Sequence, residues 1–419
     1  MHTPTCGAAA ARRRRAATFL LELAIVLAVA KLFGDLAVRL GQPSVSGKLV
    51  GGLLLSPGLV DVVGRLSGAG AAAADRAQLG TISSIGVVLL LFLAGLETDL
   101  DELVDAGPKA AVVAIGGVIA TMALIGGVAL AFGVGGRESV FLGVMLAATS
   151  VSISVQTLFE LRRLRSPSGL VILGAAVTDD VIGLIAFSVT LAVLGVGGTS
   201  PVVLAAGLAA YFAVSLFVGL RWSRPVVELA RRLRSTEALL GISLSFCLFM
   251  GWLATEAGIA AITGAYLAGL IVGRSAAQEL ADRLRVVAYA LPVPVFLVGV
   301  GMQADLTHLH GGALLVAIPL AALASKVIGC GLGALTAGFR GREAIGVGVG
   351  MIPRGEVTLV IAVLGVGKGV LSGTGYTLGV LSVLLSALVT PPLLKALLGA
   401  LPADAEGSLA AERAEMVTA

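Results

Sequence analysis

The chain has few charged, aromatic, histidine and cysteine residues for its length. Of 419 residues only 13% are charged and 5% aromatic, whereas 57% are hydrophobic, and the mean hydropathy is +1.02. Soluble domains carry roughly 25% charged residues, so this composition excludes a soluble globular protein. The three histidines form no metal-ligand pattern, and the three widely spaced cysteines predict packing thiols rather than a disulfide framework. The net charge of +4 comes mostly from arginines in short loops, so it does not predict nucleic-acid binding.

Apolar runs close to the ~20 residues of a membrane crossing are abundant. Their length predicts helices rather than barrel strands, and the 57 glycines suit helices that pack closely in lipid. About thirteen spans are predicted, at residues 18–40, 46–63, 78–97, 109–132, 139–158, 168–194, 201–220, 238–255, 259–272, 286–302, 312–335, 344–364 and 376–398. The sequence therefore predicts an all-α polytopic membrane protein in the inner (plasma) membrane.

Lysine and arginine in the loops predict the orientation of the chain. Loops after odd-numbered spans hold sixteen of these residues and loops after even-numbered spans hold four. Because basic residues favour the cytoplasmic side, we expect the N-terminus outside and the C-terminus in the cytoplasm. The arginines at 12–15, just before the first span, favour the opposite orientation and imitate a secretory signal. Glu22 within the run, and the need for a first span in the repeat described next, argue against cleavage.

Two halves of the chain resemble each other at matching places. Gly47 and Gly52, followed by an apolar triplet, recur as Gly264 and Gly269, and residues 92–95 recur as 296–299. The offset is seven spans, and an odd offset turns the second copy upside down in the membrane. We therefore expect inverted repeats of six spans, a linker span and six more, an architecture typical of secondary transporters.

Two adjacent carboxylates, Asp179 and Asp180, lie in the middle of the sixth span. A charge inside the membrane costs a few kcal/mol or more and usually marks an ion path or a proton relay. Adjacent residues point about 100° apart around a helix, so one carboxylate can face a cation while the other pairs elsewhere. The alternative is a structural hydrogen-bonded pair.

The fifth and twelfth spans are predicted to be interrupted. The fifth contains Thr149 and Ser150, and the twelfth contains Pro353, Arg354 and Glu356 among glycines. Matching interruptions in two halves point to a transport site, where unwound carbonyls and hydroxyls supply oxygen ligands. Thr149 and Ser150 could instead bond back onto their own helix. Arg354 and Glu356 are expected to pair with each other or to cap half-helices rather than to touch the ion.

Two further charges complete the set of candidates. Lys326 lies within the eleventh span, where an ammonium needs a carboxylate partner, and we expect that partner to be Asp179. Glu97 and Asp99 close the third span near the cytoplasmic face. They indicate solvated interface charges, of which Glu97 could shape an ion funnel.

Taken in this order, these motifs resemble the bacterial Na+/H+ antiporters of the monovalent cation:proton antiporter family, over essentially the whole chain. The resemblance rests on the Thr-Asp-Asp of span 6, the Thr-Ser of span 5, Lys326, the Pro-Arg-Gly-Glu of span 12 and residues 47–57 and 92–100. It implies two crossing broken helices, an elevator-type mobile core and a homodimer panel. The implied segments are an extracytoplasmic 1–17, panel spans in 18–105 and 236–306, core spans in 106–197 and 307–400, a linker span in 198–222 and a short tail at 401–419.

The function predicted from these residues is exchange of Na+, or Li+, for protons, with cation and proton competing for Asp180 and with no cofactor. The retained Lys326 and first Asp imply electrogenic exchange by the same resemblance. K+/H+ exchange is the alternative within the family, although its glutathione-gated potassium members carry Gln-Asp in place of the Asp pair. An organic-anion symporter and an intramembrane aspartyl protease are more remote, and the protease needs two Asp side chains from different helices.

Overall fold

The computed structural model describes residues 6–68, 71–195, 200–233, 235–257, 260–303 and 312–399, and within them all regular secondary structure is α-helical. The first eight helices are α1 Cys6–Arg39, α2 Ser44–Leu54, α3 Val62–Ser67, α4 Ala72–Glu97, α5 Leu100–Ala131, α6 Gly136–Met145, α7 Val151–Glu160 and α8 Pro167–Val193. The others are α9 Pro201–Arg232, α10 Ala238–Glu256, α11 Ala261–Ala290, α12 Pro292–Met302, α13 Leu314–Thr336, α14 Arg342–Gly350, α15 Glu356–Gly367 and α16 Gly373–Leu398.

Seven helices in the described part of the chain are long and apolar enough to cross a membrane, or eight if the bent pair α11 and α12 counts as one span. Together with the purely helical structure, this confirms the predicted all-α polytopic class. The shorter helices α2, α6, α7, α14 and α15 overlap the second, fifth and twelfth predicted spans. Of the predicted segments, residues 1–5 and the tail at 401–419 lie outside the described ranges.

One compact unit consists of residues 1–89 and 286–309 and contains α1–α3, most of α4, and α12. Its helices approach closely where glycines remove side chains. Gly52 of α2 lies against the backbone of Val298 and Gly301 on α12, and Gly86 of α4 lies against the backbone of Pro292. A Cβ at either glycine would overlap a carbonyl group. Close backbone contact of this kind is what small residues provide in membrane helices.

The second unit consists of residues 90–285 and 310–419. Its centre is the packing of α5 against α13, where Gly116 and Gly329 face each other backbone to backbone. The hydroxyls of Thr121 on α5 and Ser325 on α13 are 3.0 Å apart and join the same two helices. The pair α5–α13 thereby supports α8, α14 and α16, which carry or flank the candidate site.

The loop predicted between the ninth and tenth spans is mostly helical. Helix α11 runs through that segment to Ala290 but is kinked at the non-helical Ala276, inside the predicted loop, and a second break precedes Pro292. Proline is well suited to the first turn of a helix and disfavours helix in the residue before it. The part of α11 that lies beyond the predicted ninth span is stabilised by ion pairs on the exposed surface, for example between Arg283 and Glu237 at 2.5 Å.

The predicted panel, core and linker segments stay a prediction. They concern which helices move together during transport, and a division into compact units in one conformation does not test that. Helix α9 is longer than the predicted linker span of residues 201–220 and ends at Arg232.

Candidate ion-binding site

Helix α8 positions the two adjacent aspartates. It begins with Pro167 after Ser166, whose side chain accepts a hydrogen bond from the Gly169 N–H at 3.2 Å, so the helix has a defined N-terminus. Asp179 and Asp180 lie near its middle, and they differ in environment. Asp179 is 0% exposed, whereas Asp180 is partly exposed. The 100° rotation between neighbours therefore separates a fully buried carboxylate from one that is partly exposed.

Asp179 is paired with Lys326 of α13. The Lys326 Nζ lies 2.9 Å from Asp179 Oδ1, and both side chains are 0% exposed. The other oxygen, Asp179 Oδ2, is buried and has no hydrogen-bond partner among the described residues. Gly117 on α5 makes room for the lysine, because a Cβ there would lie 3.4 Å from Lys326 Nζ and would overlap Cys330 Sγ. The pair is thus enclosed by α5, α8 and α13.

Asp180 accepts a hydrogen bond from a residue that the sequence analysis did not name. Thr263 Oγ1, in the first turn of α11, donates to Asp180 Oδ2 at 2.8 Å, and Thr263 is buried. A signal was present, since Thr263 immediately precedes Gly264, the glycine at which the internal repeat was recognised. The repeat marked this segment as packed closely, but not as a partner of the carboxylate.

Two interrupted helices meet beside α8. The first interruption separates α6 from α7 at residues 146–150, and the second separates α14 from α15 at 351–355. They cross in direct contact, since the Ser150 N–H donates to the Pro353 carbonyl at 2.7 Å and Ser154 Oγ donates to the Gly350 carbonyl at 2.5 Å. Thr149 Oγ1 lies 3.4 Å from the Met351 carbonyl. Thr149 therefore bonds across to the other broken helix rather than back onto its own.

Arg354 caps the ends of the broken helices. Its side chain is 0% exposed, its Nε donates to the Leu146 carbonyl at 3.1 Å, and its Nη2 donates to the Ala322 carbonyl at 2.8 Å. Nη1 donates to the Ile352 carbonyl. Helices α6 and α14 both end here, and each C-terminus carries roughly half a negative charge. Two such ends together offset one guanidinium, and among the side chains that the structure describes no carboxylate is bonded to it.

The remaining predicted residues lie away from this centre or are only partly described. Glu356 is the first residue of α15, a position where an acidic residue is favourable, but its side chain is not among those described. Glu97 ends α4, and its side chain forms an ion pair with Arg285 while its carbonyl accepts from Arg165 Nε at 2.7 Å. Among the described residues no group of three or more His, Cys, Asp or Glu is arranged to hold a metal ion.

Comparisons with known proteins find similar proteins over most of the chain. The family model described as "Sodium/hydrogen exchanger, transmembrane" matches residues 24–399. The Na(+)/H(+)-K(+) antiporter GerN of Bacillus cereus is 35% identical, with 91% of this chain and 97% of that protein covered. The Na(+)/H(+) antiporter of Enterococcus hirae is 33% identical, with 90% and 97% covered. The sodium proton antiporter MjNhaP1 of Methanocaldococcus jannaschii has a similar fold, with a TM-score of 0.62, 15% identity, and 91% and 97% coverage.

Proposed function

The chain belongs to the sodium/hydrogen exchanger family, and on that premise we propose that Asp180 is the residue through which it exchanges Na+ for protons. The chain is a multi-pass transporter of the plasma membrane rather than an enzyme, and Na+ and H+ are its substrates, so no cofactor is needed. This is the function predicted from the sequence.

The observation that carries the assignment of Asp180 is the different environment of the two aspartates. Asp179 is fully buried and bound to Lys326, so its charge is already compensated. Asp180 is partly exposed and receives a hydrogen bond from the neutral hydroxyl of Thr263. The exposed part of Asp180 supports it, rather than Asp179, as the carboxylate that takes up the ion, while the pair with Lys326 holds Asp179 in place.

In this mechanism Na+ and H+ compete for one carboxylate. A bare carboxylate is costly inside the membrane, so the site crosses only when Asp180 holds a proton or a cation. At the crossing of the two broken helices, Thr149 Oγ1 lies 3.4 Å from the Met351 carbonyl and Ser150 Oγ lies 3.3 Å from Ser152 Oγ, which supports a cluster of oxygen atoms there. Oxygen atoms of this kind are suitable ligands for a hard cation, and we assign Thr149 and Ser150 as the oxygen ligands of Na+.

Vesicles that contain the purified protein and a pH-sensitive dye test this proposal. Addition of Na+ or Li+ to acid-loaded vesicles should reverse the quenching of the dye. The Asp180→Asn variant should fold, because asparagine can still accept the Thr263 hydrogen bond, but should show no cation-driven proton movement. Asp282→Asn, at a carboxylate that is 75% exposed, is the matched control and should exchange normally. Near-normal exchange by Asp180→Asn would remove Asp180 as the carrier.

Potassium is the second candidate cation. The name of the relative GerN, a Na(+)/H(+)-K(+) antiporter, supports this alternative. The same vesicles decide between the two, since a Na+-selective site responds to Na+ and Li+ at concentrations where K+ gives no signal. An equal response to K+ would establish the broader selectivity.

Electrogenic exchange is a further proposal about the buried pair. Na+ at Asp180 would compete with Lys326 for carboxylate charge, and the weakened pair would let Lys326 release a proton, so that two protons exchange for one Na+. Electrophysiology on a solid-supported membrane should then record a sustained current after a Na+ jump at symmetric pH. The Lys326→Gln variant should give a smaller current while retaining some exchange detected by dye. Exchange without net charge movement in the wild-type protein would contradict this stoichiometry.

The finer architecture belongs to the same proposal. Each of the thirteen predicted spans overlaps a helix or a pair of helices, which supports thirteen crossings in two inverted repeats, and the likeness to an antiporter fold supports a homodimer with an elevator-type core. Orientation is testable by labelling single cysteines in whole cells. A cysteine at Arg232 should be protected from an impermeant reagent and one at Gly198 should react. The reverse pattern would overturn both the orientation and the inverted scheme.

A further inference from the structure

Two buried carboxyl groups in the first compact unit take no part in the site described above. Glu22 on α1 is 0% exposed and Asp75 on α4 is 2% exposed. Both contact the side chain of Ser67, the last residue of α3. Ser67 Oγ lies 2.5 Å from Glu22 Oε1 and also forms a hydrogen bond with Asp75 Oδ2. One hydroxyl thus bridges two acids from different helices.

The number of hydrogen atoms at this bridge determines its charge. A serine hydroxyl has one hydrogen to donate, and an ionised carboxylate can only accept. If both acids were ionised, one of the two contacts would place two oxygens against each other with no hydrogen between them. A proton on one carboxyl removes this conflict, because that carboxyl donates to Ser67 while Ser67 donates to the other acid. Glu22 Oε2 is also buried without a hydrogen-bond partner among the described residues, an arrangement that costs less for a neutral acid than for a carboxylate.

The charged groups around the bridge do not replace this proton. Arg76, next to Asp75, forms its ion pair with Asp61 at 2.6 Å. Lys31 of α1 donates to the Tyr289 carbonyl, Lys48 of α2 donates to Ser44, and Arg65 of α3 is exposed. Helix α12 contains no charged residue. Among these groups no cation is bonded to Glu22 or Asp75 in the described residues.

A cavity with charged lining residues lies near the bridge. A cavity of about 230 Å³ is lined by Asp61, Arg76, Leu79 and Ser83 together with residues of α12. Leu79 is one helical turn after Asp75 on α4, so the cavity comes within a turn of the buried acid.

We propose that Glu22, Ser67 and Asp75 form a second proton-binding site, separate from Asp179 and Asp180, that holds one proton at neutral pH. Its ligand is H+, and alkaline pH removes it. Loss of the proton leaves two buried carboxylates around one hydroxyl, and their repulsion loosens the junction of α1 with α3 and α4. The site therefore makes this junction sensitive to pH independently of cation exchange.

The pH dependence of folding stability tests the site without any transport assay. Unfolded Asp and Glu ionise with a pKa of about 4, so unfolding at neutral pH releases the shared proton. Stability must then fall as pH rises, with a slope set by about one bound proton. Glu22→Gln keeps a donor to Ser67 but cannot titrate, so its stability should fall less steeply than that of the wild-type protein. Asp35→Asn, at an exposed acid on the same helix, is the matched control and should leave the slope unchanged.

Melting temperatures of the purified protein in detergent give the measurement from neutral to alkaline pH. A thiol-reactive fluorogenic dye suits it, because Cys247 and Cys330 are buried and react on unfolding, and a Cys6→Ala background removes the third thiol. The melting temperature of Glu22→Gln should increase steadily relative to that of the wild-type protein as the pH rises. If the melting temperatures of the variant and the wild-type protein change in parallel with pH, the proposal is overturned. If Glu22→Gln does not fold, Asp75→Asn makes the same test. If neither folds, infrared spectroscopy of an Asp180→Asn background, which removes the carboxyl proposed to carry a proton in transport, must show a protonated-carboxyl band that disappears at alkaline pH, and its absence overturns the proposal.

Discussion

Removal of the ammonium from the Asp179–Lys326 pair should destabilise the protein strongly. Both side chains are 0% exposed and their charged atoms are 2.9 Å apart. Deletion of one partner of a buried pair leaves an uncompensated charge, which costs about 3–5 kcal/mol, whereas replacement of both partners by neutral groups is often close to neutral. Lys326→Gln alone should therefore lose about 3–5 kcal/mol of stability. The double variant Lys326→Gln/Asp179→Asn, which pairs two amides, should recover most of that loss.

A double-mutant cycle measures this coupling. Melting temperatures of the wild-type protein, both single variants and the double variant are compared in detergent at neutral pH with the thiol-reactive dye. Lys109→Gln is the matched control, because this lysine is exposed and its Nζ lies 5.9 Å from the centre of the Phe339 ring. It should lose no more than about 1 kcal/mol. If the losses of the two single variants simply add in the double variant, the buried charges are not coupled and the reasoning is refuted.

Three further predictions concern neighbouring residues. Thr263→Val removes a hydrogen bond to the charged Asp180 carboxylate, which is worth about 1.5–3 kcal/mol. Asp180 then binds Na+ less well, so the Na+ concentration that gives half-maximal exchange should rise about tenfold or more. Thr263→Ser, which keeps the hydroxyl, should restore the wild-type concentration. Gly117→Ala places a Cβ against Cys330 Sγ and should cost about 1–3 kcal/mol by overpacking; Cys330→Ala added to it should raise the melting temperature again, and no recovery would refute the steric explanation. Arg354→Lys loses the planar fork that reaches three carbonyls, so it should lower the melting temperature markedly, and an unchanged value would contradict the capping role.

Much of the architecture was predictable because it depends on local properties of the chain. Apolar length identifies membrane helices without knowledge of their neighbours, and this recovered the helical class. The interruption at Pro353 was predictable for the same reason, since proline and flanking glycines disfavour helix wherever they are placed. The helices α9 and α11 run further than the predicted spans, because polar segments between spans can continue a helix when surface ion pairs support it, as Arg283 and Glu237 do.

Charges inside apolar runs also identified the residues of the candidate site. Asp179, Asp180 and Lys326 were conspicuous in sequence because each is costly in a membrane and needs a partner. Their roles in transport stay predictions. The direction of each side chain, however, was not available from spacing alone, because a helix turns neighbours to different faces without indicating what each face meets.

What the sequence determined by itself was therefore the solvent in which the chain folds, the helical class and the positions where a buried charge or a broken helix must occur. The tertiary structure alone decided which groups meet. Thr263 reaches Asp180 across 83 positions of sequence, and Arg354 reaches Leu146 across 208. The Ser67 bridge joins Glu22 to Asp75 only because α1, α3 and α4 pack together. Such contacts depend on packing between distant helices, and local apolar pattern carries no information about the partner that packing will bring.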